Sequence, residues 1–251
     1  MNIHFDCTQC GRCCHNLKLP LSVDEAIAWA GRGHQVQLLC EAHATYEAPT
    51  TLRERYRHDR AFQGWSGSVP VRVSIILVAA FEGACPHLRS DMLCDNYEER
   101  PRVCRIYPAE ITPDIDLLPD HKICPEDAWD PDQPLYQRGR EVVDGATRAL
   151  IDEHRAETLA DVGTKRLAAT RLGITTAAFG NEGYVVHTLE PHRLAEILTE
   201  CRKPVAAKHD ESEWVIVTNR QSTRAMLEGV GVASALADHA TTYIGFFPNE
   251  P

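Results

Sequence analysis

The residues best suited to chemistry in this chain are its ten cysteines. Eight of them form a pattern in the first half: Cys7, Cys10, Cys13, Cys14, Cys85, Cys94, Cys104 and Cys124. Cys40 and Cys201 stand apart. Thiolates are soft ligands that suit zinc and iron–sulfur centres. A CxxC step lets two sulfurs of one short loop face one centre, and here two such steps share Cys10. Cys7, Cys10 and Cys13 can therefore meet a single centre. Three sulfurs at this spacing are the first three ligands of a bacterial-type 4Fe–4S loop, whose remaining ligand is a distant cysteine followed by proline. The chain offers two, Cys85-Pro86 and Cys124-Pro125. Gly11, directly after the second cysteine, supplies the backbone freedom that a tight loop needs. Zinc is the rival, since eight thiolates would make two closed four-ligand sites. The triple step and the two Cys-Pro steps favour iron–sulfur.

Cys14 needs a separate account. Neighbouring side chains of an extended loop point to opposite sides, which sends Cys13 to one centre and Cys14 to a second. Cys94, Cys104 and one of the two Cys-Pro cysteines would complete that second centre. The plainer alternative is a small buried hydrophobe. Arg100, Arg102 and Arg105 flank Cys104 and are expected to offset the negative charge of a thiolate-bound centre and donate hydrogen bonds to its sulfurs. Ordinary solvation is the competing role for them. Tyr97 and Tyr107 are placed to shield the centre from water, and Pro101 and Pro108 to stiffen the loop. His15, His87 and His121 lie near cysteines but are not needed as ligands beside eight thiols.

The elements that must position these residues are legible in part. Ser22 and Glu25 form a capping box that opens a helix with Val23, Ala26, Ile27 and Ala30 on one face. Gly31 and Gly33 end it. Val69 to Phe81 is rich in β-branched residues and reads as a strand leading to Cys85. Residues 85–124 hold many turn-formers and suit loops around a bound centre. A linker is expected over Asp127 to Pro134, dividing a cysteine-cluster domain, 1–128, from a C-terminal domain, 135–251. The second part should contain helices over Leu135–Leu159, Val162–Leu172, Glu190–Cys201 and Ser222–His239, with strands at Tyr184–Leu189 and Trp214–Thr218. The expected fold class is α+β: an irregular cysteine-rich metal-binding core with short helices and few strands, followed by a small α/β appendage. Cys40 and Cys201 are expected on apolar helical faces, as inert core residues.

Composition limits the function classes. A chain of 251 residues with 43% hydrophobic and 25% charged residues can bury a proper core. A net charge of −10 argues against nucleic acid as a partner. Arg53, Arg55, Arg57 and Arg60, diluted by Glu54 and Asp59, read as a solvated helix face. No apolar run reaches the length of a membrane span, and the first residues lack the pattern of a secretory signal. A cytoplasmic location is the expectation, and in a reducing cytosol metal binding outranks disulfides. Glu228-Gly-Val-Gly231 lies inside a helical pattern, where it makes a poor nucleotide loop.

The run Cys7-Thr-Gln-Cys-Gly-Arg-Cys-Cys14, followed by Cys85-Pro-His-Leu and by Cys94-Asp-Asn-Tyr-Glu-Glu-Arg-Pro-Arg-Val-Cys-Arg-Ile-Tyr-Pro108, resembles the YkgJ-type CxxCxxCC proteins. The resemblance covers residues 5 to about 125, including Cys124. It implies a zinc- or iron-chelating domain whose ligands are Cys7, Cys10, Cys13, Cys14, Cys85, Cys94, Cys104 and Cys124. Flagellin lysine N-methylases carry the same kind of module, which makes a methyltransferase-related activity a third reading. The leading expectation is an iron–sulfur protein of 4Fe–4S type in electron transfer, with an unnamed protein or redox partner. A zinc-bound interaction module without catalysis is the alternative.

Overall fold

The computed structural model describes residues 2–44, 48–202, 212–248 and 250. The fold class is α+β. Among the described residues the strands are β1 (Asn2–His4), β2 (Lys18–Leu21), β3 (Val36–Ala44), β4 (Ala61–Ser66), β5 (Val69–Ala80), β6 (Leu135–Arg138), β7 (Glu141–Val142), β8 (Thr176–Phe179), β9 (Gly183–Thr188), β10 (Val215–Thr218), β11 (Ser234–Leu236) and β12 (Tyr243–Gly245). The helices are α1 (Val23–Gly31), α2 (Leu52–Asp59), α3 (Arg102–Ile106), α4 (Gly145–Ala160), α5 (Val162–Leu172), α6 (Pro191–Cys201) and α7 (Gln221–Gly229).

The long strand β5 forms because its β-branched residues alternate in burial. Val69, Val71, Val73, Ile75, Leu77 and Ala79 all face one core. β5 pairs antiparallel with β3 along most of its length, from Val36↔Ala79 to Ala44↔Val71. The main sheet has nine strands, ordered β11-β10-β8-β3-β5-β2, with β4 on β5, β9 on β3 and β12 on β9. Its inward face packs on α1, α5 and α6 through Ala26, Trp29, Ala168, Leu194 and Leu198. The strands on either side of the boundary expected at 128–135 thus belong to one sheet: β3 pairs with β8 and β9 from beyond it. The expected linker also folds back, because β6 pairs antiparallel with β1.

One local break in this sheet concerns the site. On the outer edge of β5, β4 pairs with Val69–Ser74 and β2 with Leu77–Ala80. Ile75 and Ile76 fall between the two partners.

The capping box of α1 is present, with Ser22 Oγ accepting from Glu25 N–H at 3.3 Å and Glu25 Oε2 from Ser22 N–H at 2.8 Å. The helix α5 stops at Gly173 in the left-handed region, φ 65°, and α6 opens at Glu190-Pro191, as their residues imply. Three expectations change. Cys40 is fully buried but lies on β3, because the stretch after Gln35 alternates in the sheet rather than coiling. Leu135 to Val142 forms the hairpin β6–β7, turned at Gly139 with φ 59°, and only then does α4 begin, capped by Asp144. The last expected helix ends at Gly229. Gly231, with φ 85°, turns the chain toward β11, and a Cβ there would lie 2.6 Å from Ser68 Oγ. That close approach to the β4–β5 turn accounts for the glycine without any nucleotide. No helix among the described residues is long and apolar enough to cross a membrane.

Candidate metal centre

Residues 85–124 stay largely irregular, yet each cysteine-bearing stretch is tied down. The opening loop is anchored at Phe5, whose N–H donates to Pro134 O at 3.1 Å, and at Asp6, whose N–H donates to Ala128 O at 3.0 Å. Gly11 takes the left-handed φ of 68°, and a Cβ there would meet Met92 O at 2.7 Å. Only glycine lets the first cysteine loop lie so close to the segment that carries Cys94. Arg12–Cys14 then forms a single 3-10 turn. The Cys85 N–H donates to Cys14 O at 2.7 Å, which sets those two cysteines side by side. Asp95 N–H donates to His87 O at 2.8 Å, and an isolated bridge between Leu88 and Cys94 closes the next loop.

Cys104 sits on α3, which is held from two sides. Glu25 Oε1 accepts from the Arg102 N–H at 2.6 Å, so the residue that caps α1 also caps α3. The Arg102 guanidinium makes a bidentate pair with Glu157 on α4, at 2.6 and 2.8 Å. Near Cys124, Tyr107 Oη accepts from the Ile123 N–H at 3.1 Å.

All eight patterned cysteines line one cavity of about 600 Å³. Their charged neighbours fall into two overlapping groups. Cys124 has Cys13, Cys7 and Cys10 around it. Cys104 has Cys13, Cys85 and Cys94, and Cys14 has Cys13, Cys85 and Cys104. Cys13 and Cys14 do not point to opposite sides. The 3-10 turn, at three residues per turn, sets successive side chains about 120° apart rather than opposite, and the Cys14 thiol acts as donor toward the Cys13 sulfur. That bond, helped by the positive charges of Arg100 and His15 against burial, lowers Cys13 to about 6. The same bond and burial raise Cys14. Burial first of all pushes Cys104 up to about 12 and Cys124 to about 11, and raises Cys85. Metal binding here must displace protons from these thiols, so it weakens as pH falls. Among the described residues, no group of three Cys, His, Asp or Glu side chains is already closed around a point as an ion requires.

The three arginines separate. Arg100 lines the cavity, lies 3.8 Å over the Tyr97 ring, and has a buried Nε without a partner among the described residues. A sulfur-bound anionic centre would satisfy that donor, so the residues present fit such a group. Arg102 faces α4 instead, where two carboxylates hold it, and Arg105 is exposed. Neither lines the cavity, because on the short helix α3 it is Val103 and Cys104 that are turned to it. Tyr97 and Tyr107 both line it. His87 does too: its Nδ1 pairs with Asp95 at 2.8 Å and its buried Nε2 has no partner. His121 is exposed.

Other cavity residues gave no signal in the sequence. Glu41 and His43 reach it from β3, with Glu41 Oε2 buried and unpartnered. His154 on α4 and Lys165 on α5 reach it from the second half. Isolated single residues in helices and strands carry no spacing pattern to betray them. Arg60, expected on a solvated face, instead lines the cavity and donates to Thr158 Oγ1 at 2.9 Å.

Residues 6–125 match the model of the CxxCxxCC family, described as "Putative zinc- or iron-chelating domain". That stretch is a domain of this family, and it contains all eight cysteines that line the cavity. Metal binding is its common denominator. No curated protein and no solved structure matches the chain.

Proposed function

We propose that this chain holds iron–sulfur clusters of 4Fe–4S type and passes electrons to a protein or redox partner. The observation that carries the reading is the meeting of eight cysteines, from stretches more than a hundred residues apart, on one cavity wall. The neighbours support two sets of four, Cys7, Cys10, Cys13 and Cys124 in one and Cys14, Cys85, Cys94 and Cys104 in the other, with Cys13 adjoining both. Such a cluster, when bound, supplies reversible one-electron transfer. The unpartnered Arg100 Nε supports an anionic centre beside Cys13 and Cys104, whose charge it would offset. Cys7 is exposed while the other seven are half-buried, which supports approach of a partner on the Cys7 side.

The test is anaerobic purification with iron, sulfide and zinc measured on the same sample. A brown protein with broad visible absorption and about eight irons per chain is expected. A colourless protein with stoichiometric zinc would overturn the cluster reading in favour of two closed thiolate zinc sites. Cys7→Ser should remove one half of the metal and Cys85→Ser the other. Full metal content in either variant contradicts the ligand sets.

A further inference from the structure

The cavity has a wall that metal binding leaves unused, and it comes from the half of the chain beyond the family match. Lys165 on α5 is 8% exposed and His154 on α4 is 3% exposed, and both line the cavity. Among the described residues the Lys165 ammonium makes no hydrogen bond and no ion pair within 4 Å. The acid that acts on it is Asp161, one turn earlier, whose Oδ2 already accepts from the Val23 N–H at 2.7 Å. The Nδ1 of His154 is buried and unpartnered. Arg60 adds positive charge beside them, with three of its five N–H groups donating to Thr158 Oγ1, Tyr56 O and Arg155 O. A cation removed from water without a hydrogen-bonded counter-ion is costly, so an occupant that supplies one is favoured. Leu21, Ile75 and Val103 supply hydrocarbon to the lining of the same cavity.

Charge decides the class of ligand. The Lys165 ammonium and the Arg60 guanidinium, set against the Asp161 carboxylate and beside a neutral imidazole, leave one positive charge, which matches a single negative charge. A phosphate dianion would need more free donors than Lys165 and His154 offer, and Arg60 already gives three of its five N–H groups to Thr158, Tyr56 and Arg155. Thiolates that line the same cavity repel an anion, which favours its charged end on Lys165 and its apolar end toward the cysteines.

We propose that this lobe binds a small carboxylate with an apolar body, its carboxylate on Lys165 Nζ and His154 Nδ1 and its hydrocarbon along Leu21, Ile75 and Val103. The second half of the chain would thereby hold a ligand next to the metal centre.

The experiment uses the full metal-loaded chain and calorimetric titration with hexanoate, hexanamide and inorganic phosphate. Hexanoate should bind, with hexanamide and phosphate at least tenfold weaker. Lys165→Met should weaken hexanoate at least tenfold and His154→Phe several-fold. Equal binding of hexanamide, tighter binding of phosphate, or unchanged hexanoate affinity in Lys165→Met would each overturn the proposal. Should Lys165→Met fail to fold, a structure of the unaltered protein with hexanoate decides: its carboxylate on Lys165 Nζ supports the site, and water alone there overturns it. Metal content is measured on every sample. Dependence on Lys165 is expected whichever metal is present, so loss of the cluster reading and loss of this site are separately visible.

Discussion

Replacing Arg102 with methionine separates two roles that its place in the sequence leaves open. Its guanidinium pairs with Glu157 at 2.6 and 2.8 Å and reaches Glu153 at 3.3 Å. The Arg102 side chain is 12% exposed and that of Glu157 38%, so the pair is neither a surface contact nor a buried one. Exposed pairs contribute about 0.2–1 kcal/mol, and breaking a buried pair costs about 3–5 kcal/mol. A bidentate pair between these limits should lose about 2 kcal/mol. In a domain of this size that lowers Tm by about 4–8 °C. Differential scanning calorimetry reads the shift. The same samples should keep the unaltered visible spectrum per bound metal, because Arg102 is turned from the cysteines, while metal is lost faster on heating as α3 loosens around Cys104. Glu157→Gln should cost a similar amount alone and little more in the Arg102→Met background. An unchanged Tm with a shifted spectrum or reduction potential would refute this, and would place the Arg102 charge on the metal.

Gly11→Ala should destabilise the chain by about 1–3 kcal/mol and lower metal content, because the residue is left-handed and a Cβ would strike Met92 O; denaturant unfolding and metal analysis check it. Acid stability should depend on His154, which burial, with Arg102, Lys165 and Arg60 nearby outweighing Glu157, lowers from 6.5 to about 4. Between those pH values the unfolded chain takes up a proton that the folded one refuses. Stability therefore falls as pH drops through that window, by up to about 3 kcal/mol, and is restored above 6.5. His154→Asn should flatten that part of the pH–stability curve; an equally steep curve would show that another group carries it.

The sequence by itself determined the ligands on offer and the local elements that short-range rules control. Soft sulfur donors at CxxC spacing, the Ser22–Glu25 capping box, the β-branched run of β5 and the Gly173 stop all depend on residues within a few positions of one another. Their physics is local, so spacing is enough to read them. The helix misplaced over Leu135–Val142 and the strand unseen at Cys40 mark where local pattern fails, since pairing of β6 with β1 and of β3 with β5 overrides it. The grouping of cysteines is likewise non-local. Cys14 meets Cys85 through a backbone bond across seventy residues, and the 3-10 turn puts it beside Cys13 rather than opposite. Arg100, Arg102 and Arg105 look alike in sequence. Only the clamping of α3 by Glu25 and Glu157 decides that Arg100 faces the cavity and Arg102 does not. Lys165 and His154 have no motif at all. They face the cavity because α4 and α5 pack against the sheet and against α3, and what becomes buried next to what is settled only by that packing.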